Sequence, residues 1–136
     1  MSKLFNVLVI EDNIDHIAII KNLNKDYGFG IKTAKNFSQY MDLMIEETKK
    51  SYDLILCDIY LDHPLEGLEI LKEFRQSGRK GKIIAYTTNE KKKDFFINQG
   101  FDDMIAKNFI DLKKLFTSIK NQMILENPVI TKKISF

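Results

Sequence analysis

The stretch YDLILCD, Tyr52 to Asp58, limits what this chain can fold into more than any other. Its middle is apolar at every position and its end is an acid. A strand with one wet face alternates apolar and polar residues, so an unbroken run points to a strand inside a parallel sheet, covered by helices on both sides. Such a strand needs neighbours of its own kind. Val7 to Ile10, Ile31 to Ala34, Lys82 to Thr87 and Met104 to Lys107 are four further short runs. Segments with helical spacing alternate with them. They are marked by Ile17, Ile20 and Leu23; by Phe37, Tyr40, Met41, Met44 and Ile45; by Leu68, Leu71 and Phe74; by Glu90 to Gln99; and by Ile110 to about Ile124, with Leu112, Leu115, Phe116 and Ile119 inward. The alternation predicts a doubly wound (βα)5 fold of the α/β class, five parallel strands with helices on both faces.

A chain of 136 residues, 44% of them hydrophobic, can bury one ordinary core. We expect one domain over 1–125 and a tail over 126–136, where VITKKISF after Asn127-Pro128 has no helical period. The net charge is only +2, with basic and acidic residues interleaved, which leaves no dominant cationic face for nucleic acid. Lys91 to Lys93 read as a solvated helix face. Cys57 is the only cysteine, so neither an intramolecular disulfide nor a cysteine-based metal site can form. There is no signal-peptide pattern and no apolar run near the roughly 18 residues of a membrane span. A cytoplasmic protein without a membrane segment is expected.

Val7 to Asn13, VLVIEDN, runs from a buried strand straight into Glu11 and Asp12. Two carboxylates about 4 Å apart repel by roughly 4 kcal/mol at an effective dielectric near 20, which suggests a metal, a shared proton or plain solvation. Either Asp12 or Asn13 could cap the first helix, and Ser38 the second. In an open parallel sheet, ligands bind outside the carboxyl ends of the strands. That rule gathers Glu11 and Asp12 after strand one, Asp58 after strand three, Thr87 after strand four and Lys107 after strand five. Carboxylates suit a hard cation such as Mg²⁺, while a hydroxyl and an ammonium suit an anionic group. Zinc fits less well, because no cysteine or histidine cluster accompanies the acids.

Taken in order, these residues resemble the receiver domain of two-component response regulators, over about Lys3 to Ile124, and a stand-alone chemotaxis-type receiver in particular. CDIYLDHPLEGLEIL is similar to the family's phosphoacceptor loop and following helix, and QGFDDMIAK to its approach to the lysine. The resemblance implies a flavodoxin-like receiver fold and phosphorylation of Asp58 by a phosphohistidine on a sensor histidine kinase or histidine phosphotransfer protein. It implies Mg²⁺ on Glu11, Asp12, Asp58 and the Tyr60 main-chain carbonyl, with Thr87 and Lys107 serving the phosphoryl group. Phosphoryl transfer asks for positioning and charge neutralisation more than for a strong base. The reaction would be self-catalysed, so the chain is not expected to be an enzyme in the ordinary sense. Three positions depart from the family pattern. Asn108 follows the lysine where proline is usual, and a trans bond is expected there. Met104 stands at the aromatic switch position, and the loop from Asp58 to Gly67 is one residue longer, with Asp62 where proline is frequent.

Other readings fit less. His16 and His63 read as surface residues, and Cys57 as a small core residue. A Mg²⁺-dependent phosphohydrolase or Toprim-like enzyme typically carries D-x-D at one strand end, whereas here Asp62 stands four residues beyond Asp58. A flavodoxin-like nucleotide binder needs a glycine- or hydroxyl-rich phosphate loop, and EDNIDH would repel phosphate. The nearest alternative is a receiver-like docking module that works without phosphate. Little chain follows the last helix, so output is expected to pass through a separate protein target rather than through nucleic acid.

Overall fold

The computed structural model describes residues 4–46, 51–61, 65–88 and 90–126. Strands β1 (Asn6–Ile10), β2 (Gly30–Ala34), β3 (Leu54–Asp58), β4 (Lys82–Thr87) and β5 (Asp103–Ala106) form one sheet in the order β2-β1-β3-β4-β5, with every pairing parallel. Helices α1 (Ile14–Asn24), α2 (Phe37–Glu46), α3 (Glu66–Gln76), α4 (Lys93–Gln99) and α5 (Phe109–Glu126) follow the strands in turn. This is the flavodoxin-like (βα)5 arrangement expected from the sequence.

β3 lies between β1 and β4, and all five of its residues are buried. Successive strand side chains point to opposite faces, so its unbroken apolar run serves two cores. Ile55 and Cys57 join Leu8, Ile10, Ile83 and Ala85 beneath Tyr40 and Met44 of α2, Ile70, Leu71 and Phe74 of α3, and Phe96 of α4. Leu54 and Leu56 join Val7, Val9, Ile84 and Tyr86 beneath Ile20 and Leu23 of α1 and Leu112 and Phe116 of α5. Each such aliphatic side chain contributes about 1.5–3 kcal/mol relative to exposure. The strand order reverses between β1 and β3, and the crevice at their carboxyl ends is where this topology places a ligand.

Several local expectations need correction. Ser38 does not cap α2; Asn36 does, its Oδ1 accepting from Gln39 N at 2.8 Å. Asn-x-x-Gln is a capping signature, and it outcompetes a serine already inside the first turn. Ile45 is 68% exposed, so the apolar stripe of α2 is narrower than expected, whereas Leu112, Leu115, Phe116 and Ile119 of α5 all face the core. Residues 90–92 form a short 3-10 helix before α4 begins at Lys93. β5 spans Asp103–Ala106, which leaves Lys107 just past the strand rather than in it. Met104 is buried in the core under α4, and the Lys107–Asn108 peptide is trans, as expected. Asp62, His63 and Pro64, and the tail from 127 to 136, lie outside the described residues. No helix among the described residues is long and apolar enough to cross a membrane.

Candidate functional site

Glu11 continues the β1–β2 ladder by one residue, its amide donating to Ala34 O at 3.0 Å. That bond turns its side chain inward, where it is fully buried. One carboxylate oxygen, Oε1, accepts from Asn13 N at 3.0 Å. Oε2 lies 2.6 Å from Lys107 Nζ but receives no hydrogen bond in aligned geometry. The capping ambiguity after β1 falls to Asn13, whose Oδ1 accepts from Asp15 N at 2.9 Å and His16 N at 3.2 Å. Asp12 is therefore released from capping and stands exposed at the rim.

Asp58 closes β3 with its side chain almost wholly buried. Its Oδ1 accepts from Tyr60 N at 3.1 Å and its Oδ2 from Lys107 Nζ at 2.7 Å. The start of α3 presses close behind: a Cβ on Gly67 would stand 2.4 Å from Asp58 O, so only glycine fits. Thr87 is buried at the end of β4, and its carbonyl accepts from Lys107 N at 3.1 Å, which fixes the lysine backbone to the neighbouring strand. Tyr60, 41% exposed, contributes its amide to Asp58. The structure thus brings Glu11, Asp12, Asp58, Tyr60, Thr87 and Lys107 to one edge of the sheet.

Carboxylate oxygens of Glu11, Asp12 and Asp58 all lie within 4.8 Å of one another. Among the described residues one ammonium faces three carboxylates, an excess of two formal negative charges. Burial pushes the Glu11 carboxyl up to about 7; Lys107 opposes the rise, and the nearby Asp58 charge adds to it. Burial lowers Lys107, but its hydrogen bond to Asp58 and its ion pair with Glu11 outweigh that and leave it above its ordinary value. The same acids reach their neighbours. Burial first, then Glu11 and Asp58, push the Tyr86 hydroxyl up to about 12. Burial likewise raises the Cys57 thiol, which sits inert in the core as expected. An all-oxygen donor set with two surplus charges and an undersatisfied buried Oε2 fits a small hard divalent cation such as Mg²⁺.

Three supporting residues were missed in the sequence. Asn108 caps α5, its Oδ1 accepting from Asp111 N at 2.7 Å and its amide group donating to Asp111 Oδ2 at 3.2 Å. Asn-x-x-Asp before an apolar run is the signal that could have found it. Buried Glu66 accepts from Phe37 N at 2.9 Å, joining the starts of α2 and α3; no local pattern announces a bond across 29 positions. Tyr86 places its ring beneath the Lys107 ammonium, 5.4 Å from centroid to Nζ.

The sequence profile of the response regulator receiver domain matches residues 7–120. The chain belongs to this family. It is 36% identical over 105 residues to two-component system protein A of Emericella nidulans, covering 75% of this chain and 15% of that protein. It is 33% identical over 125 residues to the autoinducer 2 sensor kinase/phosphatase LuxQ of Vibrio harveyi, covering 88% of this chain and 14% of that one. The receiver therefore spans only a small part of these relatives' length. Its fold matches response regulator TrrA of Thermotoga maritima, solved in complex with Mg²⁺ and BeF, with a TM-score of 0.71, 24% identity and coverage of 87% and 98% of the two chains.

Proposed function

We propose that this receiver accepts a phosphoryl group on Asp58 from a phosphohistidine of a sensor histidine kinase or histidine phosphotransfer protein, and passes the signal to a downstream protein. The observation that carries this reading is the Lys107 ammonium held between Glu11 and Asp58 beside exposed Asp12. An Asp58 carboxylate oxygen forms the new O–P bond as the donor's P–N bond breaks, and the electron pair of that bond stays on the donor nitrogen. Tyr60 N and Lys107 Nζ hold the carboxylate in one orientation before attack. Glu11, Asp12, Asp58 and the Tyr60 carbonyl would hold Mg²⁺, which when bound neutralises the incoming phosphoryl oxygens. Lys107, already beside Asp58, gives its charge to a phosphoryl oxygen, and the Thr87 hydroxyl donates to another. The modified group is the chain's own aspartate, so the protein is a substrate and switch rather than an enzyme acting on other molecules.

Met104 shapes the output. Its thioether packs flexibly, so phosphorylation is expected to shift the populations of the α4-β5-α5 face rather than lock one rotamer. Beryllofluoride should change amide exchange around Thr87 to Lys107. If it binds and exchange stays the same, this switching is wrong. Incubation with acetyl phosphate and Mg²⁺, followed by intact mass, tests the function itself. Native protein should gain one phosphoryl group, lost in Asp58→Asn and in excess chelator. Absence of any gain, or label on another residue, would refute the reading in favour of phosphate-independent docking.

A further inference from the structure

Tyr86 precedes Thr87 in β4 and pairs with Asp58 across the β3–β4 ladder. Its side chain faces α1 and α5, and the residue is 2% exposed. Two contacts set it apart from an ordinary core aromatic. Lys107 Nζ sits 5.4 Å from the ring centroid, and His16 of α1 meets the same ring edge-on, with centroids 6.5 Å apart and planes at 85°.

The two carboxylates fix how far the ammonium stands from the acids, 2.6 Å from Glu11 and 2.7 Å from Asp58. They do not fix the route of the flexible four-carbon stem. An aromatic face attracts a cation and bars the volume behind it, so a ring under the ammonium removes alternative routes. Edge-on contact with His16 in turn holds the ring at its angle. The Lys107 backbone is tied to Thr87 O and its side chain is only 9% exposed, so the ring lies among the groups that enclose the ammonium.

We infer that Tyr86 is a positioning residue for Lys107, its ring face, steadied by His16, keeping the ammonium between Glu11 and Asp58. Lys107 then needs only a short movement to meet a phosphoryl oxygen. The effect on rate rests on the phosphoryl-acceptor reading above; the placement of Lys107 does not.

The first measurement is therefore made without phosphate. In metal-free protein, NMR of the Lys107 ε-methylene should show an upfield shift from the ring current. Tyr86→Phe should keep that shift, Tyr86→Leu should lose it, and His16→Ala, which leaves the core intact, should reduce it. The second measurement is labelling by acetyl phosphate. Tyr86→Leu should slow it by about five- to tenfold, while Tyr86→Phe restores the native rate. In a Lys107→Ala background, Tyr86→Leu should change nothing further, whereas a general packing defect would slow that background too. A native Lys107 shift in Tyr86→Leu, or slowing that persists without Lys107, overturns the inference. If Tyr86→Leu fails to fold, an unchanged shift in His16→Ala overturns it instead. If native protein takes no label, the functional reading fails and the NMR comparison alone decides the role of Tyr86.

Discussion

Two carboxylates of this receiver, Glu11 fully buried and Glu73 partly buried, sit in clusters of similar make-up and opposite character. Glu73 of α3 accepts from the Tyr40 hydroxyl of α2, from Ser77 Oγ at 2.7 Å and from Arg79 Nη2 at 2.8 Å. Burial raises its carboxyl, but the bonds from Arg79, Tyr40 and Ser77 outweigh burial and hold it below the usual range. Arg79 is raised above its ordinary value, chiefly by its bond to Glu73. Glu11 has one aligned backbone donor and shares a single ammonium with Asp58, and its carboxyl rises to about 7. The Glu73 cluster ties two helices together, while the Glu11 cluster holds charge that its surroundings do not fully neutralise. On the function proposed above, a site that takes up a cation and a phosphoryl group has to be left in that second condition, at some expense of stability.

Substitution should separate the two clusters by sign. Glu73→Ala leaves the Tyr40 hydroxyl and Arg79 without their acceptor, with Tyr40 fully buried. It is expected to destabilise the fold by about 3 kcal/mol in urea unfolding. Glu11→Gln removes a carboxylate that burial disfavours, and at pH 8 without metal it should stabilise by about 1–2 kcal/mol once the weakened Lys107 contact is set against the relief of desolvation. Destabilisation by both variants would mean that Glu11 is as well satisfied as Glu73, and the contrast would collapse.

pH should separate them again, in different windows. Glu11 has a folded value near 7 against an ordinary 4.5, so the folded state holds this proton more tightly. Its contribution to stability is fully present below about 4.5 and is lost as pH rises through 7. Glu73 is lowered on folding. Its contribution is present above the ordinary carboxylate value and is lost as pH falls through the lowered one. Because Mg²⁺ needs Glu11 ionised, its binding should weaken by up to about tenfold per pH unit below 7 and release a proton there. Calorimetry in buffers of different ionisation enthalpy reads that proton directly. Binding that is flat from pH 6 to 8 would remove Glu11 from the metal site.

Much of this was legible in the sequence where the signal is local. YDLILCD announced a central strand because two-sided burial leaves no polar alternation, and the order Glu11, Asp12, Asp58, Thr87, Lys107 announced one rim because parallel strands align their carboxyl ends. The Glu73 cluster was not legible, because Tyr40 and Glu73 are 33 positions apart and meet only once α2 and α3 pack. Nor was the inequality of Glu11 and Asp12. They are adjacent in sequence, yet the ladder bond to Ala34 turns the first inward while the second stays in solvent. Caps fall between these cases: Asn36 and Asn108 carry readable signatures, but Ser38 offers a rival cap beside the first and the second stands where the family usually has proline.

Asn108 gives the smallest effect and the sharpest check on where the unsatisfied charge ends. It follows Lys107 directly, and its own polar groups are paired: its side chain caps α5, its amide donates to Ala106 O at 2.8 Å, and its carbonyl accepts from Leu112 N at 3.2 Å. Asn108→Ala removes only the side-chain bonds, and loss of an N-cap costs about 1 kcal/mol. The Lys107 backbone stays tied to Thr87 O, which the substitution does not touch. Stability should therefore fall by that amount while Mg²⁺ affinity stays within about twofold of native, because the cap and the carboxylates act on separate groups. If affinity instead moves as far as it does in Glu11→Gln, the α5 cap sets the position of the ammonium. The boundary between the satisfied and unsatisfied parts of the rim would then have to be drawn beyond Asn108.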